Sequence, residues 1–385
     1  MNDITLKGIT WDHPRGYEPL VASSNKYYEI TGIKVNWEIR SLKDFGDQSL
    51  VDLARKFDLL INDHPHSGVA AQSRCVLALE EYVDPHTFTH LQLQSAGPSF
   101  ESYHYQGHQW ALPIDAAFQS ACYRPDLMDV PVPTGWQDVF DLADRLKRKN
   151  KFVGMALCPT DCLCTFLSLT AQFGAPIRDA SELVNLKTGT EVLELMRRMR
   201  EEFYAESLNW NPIQLYDHMA EHDEIVYTPL AFNYTNYSRE GFRKNSLVYS
   251  NAPGITSVLG GAGIAVSSTC KNKQEAADFA SWICSKHVQK GIYTQAQGQP
   301  GNIKAWEDPL ANSLTSDFFI NTRNSLDHAY VRPRFLNWPV FQEYLGNTIH
   351  RLLKEEEDIP STLYHLNDAY EEIKHRVGRS KKAFF

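Results

Sequence analysis

Apolar and polar positions alternate with period two over residues 4–11 and again over residues 33–40, and each run predicts a strand. Between them Leu20, Val21, Tyr27, Tyr28 and Ile30 fall at helical spacing and stop at Thr31-Gly32. A strand, helix, strand order predicts a parallel pair joined by a right-handed crossover. A short helix over residues 49–57 and a buried strand over residues 57–62 follow. Further on, helical spacing marks residues 137–148 and 188–205, and residues 225–230 form an apolar strand that runs into the aromatic stretch 232–237. From Ser257 to Gly301 a glycine cluster (Gly260, Gly261, Gly263) leads into the apolar run Ile264-Ala265-Val266. Asn272 and Glu275 then have the spacing of a capping box. Ala276, Phe279, Ala280, Ile283 and Cys284 make one apolar helical face, and a second helical pattern ends at Gly298-Gln299-Pro300-Gly301. The rest is helical. Its end carries Glu371, Glu372, Lys374, Arg376, Arg379, Lys381 and Lys382, as expected of a solvated helix and a loose tail.

At 385 residues the chain is long for one core, and two lobes are expected. Neither an internal repeat nor a Ser/Gly linker is present, so short crossings join the lobes, in the manner of hinges. A net charge of −9 argues against a nucleic-acid footprint. No apolar run reaches the ~18 residues of a membrane-spanning helix. Met1-Asn2-Asp3 leads straight into the first strand without the basic start and apolar stretch of a secretory signal. The expected location is therefore cytoplasmic if Met1 is the native start, and periplasmic or extracellular if a signal peptide has been removed. Seven cysteines, an odd number, lean toward the first.

Ligands of open α/β sheets sit outside the carboxyl ends of strands. Three such ends, residues 11–17, 40–45 and 63–68, are expected as loops bearing Trp11, Asp12, His13, Arg15, Tyr17, Arg40, Asp63, His64 and His66. Imidazole both donates and accepts, so the histidines suit ligand contact. Loop hydrogen bonding and a metal site with Asp12 and Asp63 are the alternatives. No third ligand stands at helical spacing, and no metal or cofactor is expected. Loop aromatics flanked by polar residues, Tyr227, Tyr234 and Tyr237 among them, suit stacking on a sugar face. Arg15, Arg40 and Arg334 are either carboxylate or phosphate clamps or surface ion pairs. The glycines precede a strand instead of following one, which fits a hinge or close backbone approach and not a phosphate loop. Cys158, Cys162 and Cys164 are either small buried hydrophobes or, at a helix N-terminus, thiols of lowered pKa.

Several ordered motifs resemble those of the extracellular solute-binding proteins of the maltose-binding type, which serve ABC importers. They are the Asp58-to-Gly68 passage, Gly107-His108-Gln109-Trp110-Ala111-Leu112-Pro113, Tyr123-Arg124-Pro125-Asp126-Leu127, Pro133-Thr134-Gly135-Trp136, the segment 257–301, and Arg332-Pro333-Arg334-Phe335. Trp110 stands where the family usually has Tyr. The resemblance runs from Ile4 to about Phe341 and implies an α/β, two-lobed periplasmic-binding-protein fold of the second type. The implied N-lobe is 1–111 plus 256–306, and the C-lobe is 112–255 plus 307–385. It also implies a small polar solute held in the interlobe cleft by hinge closure, and an ABC importer's membrane subunit as partner. The candidate ligand-binding set is Trp11, Asp12, His13, Arg15, Tyr17, Arg40, Asp63, His64, His66, Asp115, Tyr227, Tyr234, Gly260, Gly261, Gln299 and Arg334. The competing reading is a cytoplasmic enzyme on the same fold, using His13, His64 and His66 or a cysteine nucleophile.

Overall fold

A computed structural model describes residues 4–178 and 182–375. Its contacts divide the chain into two compact units, Met1–Ala117 with Tyr234–Asn236 and Gly260–Ile320, and Phe118–Asn233 with Tyr237–Leu259 and Asn321–Phe385. The divisions thus fall at 117/118, 259/260 and 320/321 rather than at 111/112, 255/256 and 306/307. Pairing explains the first two shifts, the second through the bridges of Val258 to Tyr330 and of Leu259 to Phe118. The strand Leu112–Asp115 hydrogen-bonds to Ala262–Val266 inside the first unit, with Gly263 opposite Pro113. Trp306 explains the third, since its ring packs on Phe318 and Phe319.

The first unit is built on a five-stranded sheet in the order 34–40, 5–11, 59–62, 262–266, 112–115. The first three strands are parallel, with Thr5 opposite Lys34 and Gly8 opposite Leu59. The strand Ala262–Val266 runs antiparallel to both its neighbours. Leu6, Leu59, Ile61, Leu112, Ile264 and Phe279 meet in its core. In the second unit the strands order as 248–250, 119–123, 225–232, 152–153. The helices Pro159–Gln172 and Trp338–Glu355 pack closely there, and a Cβ on Gly346 would strike the carbonyl oxygen of Pro159.

Local chemistry sets the first helix, Pro14–Thr31. Pro14 occupies a first-turn position that needs no N–H, and the Nδ1 of His13 accepts from the Arg15 amide at 3.1 Å. Gly32 ends it in the left-handed region at φ 74°. Residues 14–17 are therefore helical, not the loop expected from Pro14 and Gly16. The other two strand ends are also more ordered than expected. Leu42–Asp47 is a helix capped by Ser41, and His64–His66 is a 3-10 turn that continues into the helix Ser67–Ser73. Conversely, the expected capping box is not formed: Asn272, at φ −107° and ψ 62°, makes no side-chain cap to the helix Lys273–Ile283. The last helix runs from Ile359 to His375. The tail positions Arg376, Arg379, Lys381 and Lys382 lie outside the described residues.

Candidate functional site

The first unit brings two groups of the expected residues together. One is centred on Arg15. Its position in the first turn of the helix sends the side chain inward, and it is 3 % exposed. Its Nε donates to Asp115 Oδ2 at 2.7 Å and its Nη2 to Oδ1, a bidentate pair with a carboxylate that is 1 % exposed. The guanidinium carbon lies 4.6 Å from the centre of the Tyr234 ring, and His13 meets the same ring edge-on at 4.8 Å. Burial opposes charge on both partners. On Arg15 the carboxylate of Asp115 outweighs burial and raises the guanidinium, whereas for Asp115 burial wins and pushes the carboxyl up. A guanidinium stays protonated throughout, and both oxygens of Asp115 accept from it, the geometry of a guanidinium–carboxylate pair.

Gln299, fully buried, fastens the neighbouring segments around this pair. Its Oε1 accepts from the Thr235 amide at 3.0 Å and its Nε2 donates to Ala116 O at 2.8 Å. The Gly260 amide donates to Ala117 O at 2.7 Å. Gly261 sits at φ +93°, and a Cβ there would run into Asp115 O. These glycines therefore bring backbone against backbone, as expected of them.

The other group lies at the carboxyl ends of three adjacent parallel strands. Trp11 and Arg40 are direct partners in register, and both face Phe45, at 5.2 Å and 5.4 Å respectively. A Cβ on Gly16 would strike the indole, so the ring lies flat against the first helical turn. Arg40 donates to Ile61 O at 2.7 Å and to Gln48 at 3.3 Å, and burial brings its guanidinium down to about 10 against the pull of Asp44. Asn62 follows Ile61. Three buried polar atoms of this group, Trp11 Nε1, Arg40 Nε and Asn62 Oδ1, have no hydrogen-bond partner among the described residues. Asn62 was not among the expected residues. Its one signal is being the polar residue that ends the run Leu59-Leu60-Ile61.

The histidines make contacts within the fold. His13 caps a helix, His66 Nε2 donates to Gly46 O at 3.0 Å, and the fully buried His64 has its Nδ1 3.2 Å from Asp63 Oδ1. Asp63 also caps the turn by accepting from the His64 amide at 2.8 Å. Asp12 is exposed and Tyr17 half-buried. Tyr227 and Arg334 belong to the second unit. Tyr227 is fully buried in the strand Ile225–Phe232 rather than in a loop, and burial lifts its phenol well above the usual range. Arg334 is half-buried. Tyr237 donates to Asp217 at 2.8 Å.

The clustered thiols are not activated. Cys162 and Cys164 are fully buried, Cys162 donates to Leu157 O at 3.0 Å, and Cys158 donates to Asp161 at 3.0 Å. Burial, reinforced by the charge of Asp161, pushes the Cys158 and Cys162 thiols up, the reverse of what a bare helix N-terminus would do. Among the described residues no three His, Cys, Asp or Glu side chains are gathered to hold a metal ion.

No curated protein matches the chain by sequence. Solved structures do match in fold. A solute-binding protein of an ABC transporter from Agrobacterium radiobacter K84, in complex with ribitol, is 18% identical with a TM-score of 0.82 over 96% of this chain and 98% of that one. Its counterpart from Thermotoga lettingae TMO, bound with alpha-D-tagatose, is 17% identical with a TM-score of 0.80 over 96% and 99%. A maltose-bound protein from T. maritima is 16% identical with a TM-score of 0.79 over 96% and 99%. The family model for bacterial extracellular solute-binding proteins matches residues 23–313, well over half of the sequence. The chain belongs to the bacterial extracellular solute-binding protein family.

Proposed function

We propose that the protein captures a neutral, polyhydroxylated solute, a sugar or polyol, and presents it to an ABC importer. The observation that carries this is the trio of unpartnered buried atoms at the carboxyl ends of the parallel strands, two donors (Trp11 Nε1, Arg40 Nε) and one acceptor (Asn62 Oδ1). Leaving each unmade costs about 1–3 kcal/mol. A hydroxyl both accepts and donates, so adjacent hydroxyls on one solute satisfy both kinds. The fork of Arg15 is already taken by Asp115, which removes the strongest clamp for a carboxylate and favours a neutral ligand. The ribitol, tagatose and maltose held by proteins of the same fold are of this class. Family membership favours a periplasmic or extracellular place over the cytoplasmic one. Among the described residues no helix is long and apolar enough to cross a membrane.

The test is calorimetric titration with ribitol, tagatose, maltose and a sugar acid of matching size. At least one neutral compound should bind with one-to-one stoichiometry, and Asn62→Leu should weaken it roughly tenfold, the worth of one buried hydrogen bond. Binding of the sugar acid alone would overturn the proposal.

A further inference from the structure

The first unit also holds a groove of about 600 Å³, lined by the helix Pro85–Leu93 and by the chain from Ser285 to Leu310. That volume lies within the ~300–1,000 Å³ of small-molecule sites. Its charge is opposite to that of the chain. Lys286, His287 and Lys290 line it, as do His86 and His90, one helical turn apart with ring centroids separated by 4.2 Å. Asp308 is the carboxylate in that lining, and Lys290 engages it at 2.8 Å, holding it below the usual carboxylate range. That ion pair cancels itself. Lys286 and His287 are exposed and have no ion-pair partner among the described residues. The Nδ1 of His90 lies 2.8 Å from His86 O, and a carbonyl only accepts, so Nδ1 carries the proton and that N–H is spent within the helix.

We propose that this groove is a second ligand site, distinct from the strand-end site, and that it takes a small multivalent oxyanion of the phosphate or carboxylate class. The Lys286 ammonium and the imidazoles of His86 and His287 stand in one lining, and their N–H groups match oxygens that carry negative charge.

Calorimetric titration of the full chain with inorganic pyrophosphate and, separately, with citrate tests the assignment. The expected result is saturable one-site heat with at least one of them, weakened about tenfold by Lys286→Gln and likewise by His287→Gln, as loss of a charge-assisted hydrogen bond requires. Lys56→Gln, an exposed lysine outside the groove, should leave binding unchanged. Tighter pyrophosphate would assign a phosphorylated ligand, and tighter citrate a polycarboxylate. Absence of saturable heat with either anion overturns the proposal. So does equal weakening by Lys56→Gln, or unaltered binding in both groove variants.

Discussion

Asp115→Asn isolates the pair that organises the first unit. The change keeps the size of the side chain and one acceptor oxygen, but removes the charge facing Arg15, which stays 3 % exposed. Breaking a buried pair by removing one partner costs about 3–5 kcal/mol, because the other charge is left uncompensated. The retained oxygen and the Tyr234 ring 4.6 Å from the guanidinium put the expected loss near the lower end, roughly 3 kcal/mol. At about 2–4 °C per kcal/mol for a unit of this size, its unfolding midpoint should fall by about 6–12 °C. Two units need not unfold together. The assay is therefore native-state hydrogen exchange, read on amides of the strand Thr5–Trp11 for the first unit and Ile225–Phe232 for the second. Protection should drop in the former and hold in the latter. The double variant Arg15→Met, Asp115→Leu should recover most of the loss, since an apolar replacement of a buried pair is often neutral. A loss below about 1 kcal/mol for Asp115→Asn would place the pair with exposed salt bridges and refute the reasoning.

Two further outcomes follow from single side chains. Asp161 is 3 % exposed and burial raises its carboxyl to about 7, so the native state holds a proton that the unfolded chain releases near its ordinary value. Stability should fall as pH rises from about 4 to about 7, by up to roughly 4 kcal/mol. Asp161→Asn should flatten that slope in urea titrations at several pH values, and parallel curves for the two chains would sink the assignment. Gly261→Ala places a Cβ at φ +93° against Asp115 O, with a backbone strain of about 1–3 kcal/mol before any clash. Thermal unfolding within about 1 °C of the parent would show that the backbone there relaxes freely.

Much of the first sheet was legible because its signals are local. Period-two alternation placed the strands Thr5–Trp11 and Lys34–Arg40 within a residue of where they lie, and the intervening helical pattern implied their parallel pairing. The start of the first helix was not legible. Pro14 and Gly16 are turn residues in most contexts, and here one fits the first turn while the other leaves room for the Trp11 indole. Tyr227 lies inside the strand expected over residues 225–230, and that strand continues to Phe232 with Tyr227 opposite Tyr123 and fully buried. Arg15 and Asp115 were both singled out, but separately. They stand 100 positions apart, and no periodicity spans that distance. The place of the strand Leu112–Asp115 is long-range in the same way, since what holds it in the first unit is its pairing with Ile264 and Gly263.

The same distinction explains why the candidate site was found only in part. Arg15 and Asp115 satisfy one another, and Gln299 is satisfied by the Thr235 amide and Ala116 O, so their polarity is absorbed by the fold and helps fix where the segment Tyr234–Asn236 lies. Trp11, Arg40 and Asn62 are the converse case. Each is buried at a strand end, and each keeps one polar atom that the fold does not use. Natural sequences are consistent across levels except where function requires otherwise. Unused donors and acceptors collected at one end of a parallel sheet are such an exception. A sequence shows which residues are polar. Which of their atoms the fold leaves unsatisfied depends on pairings made tens of residues away.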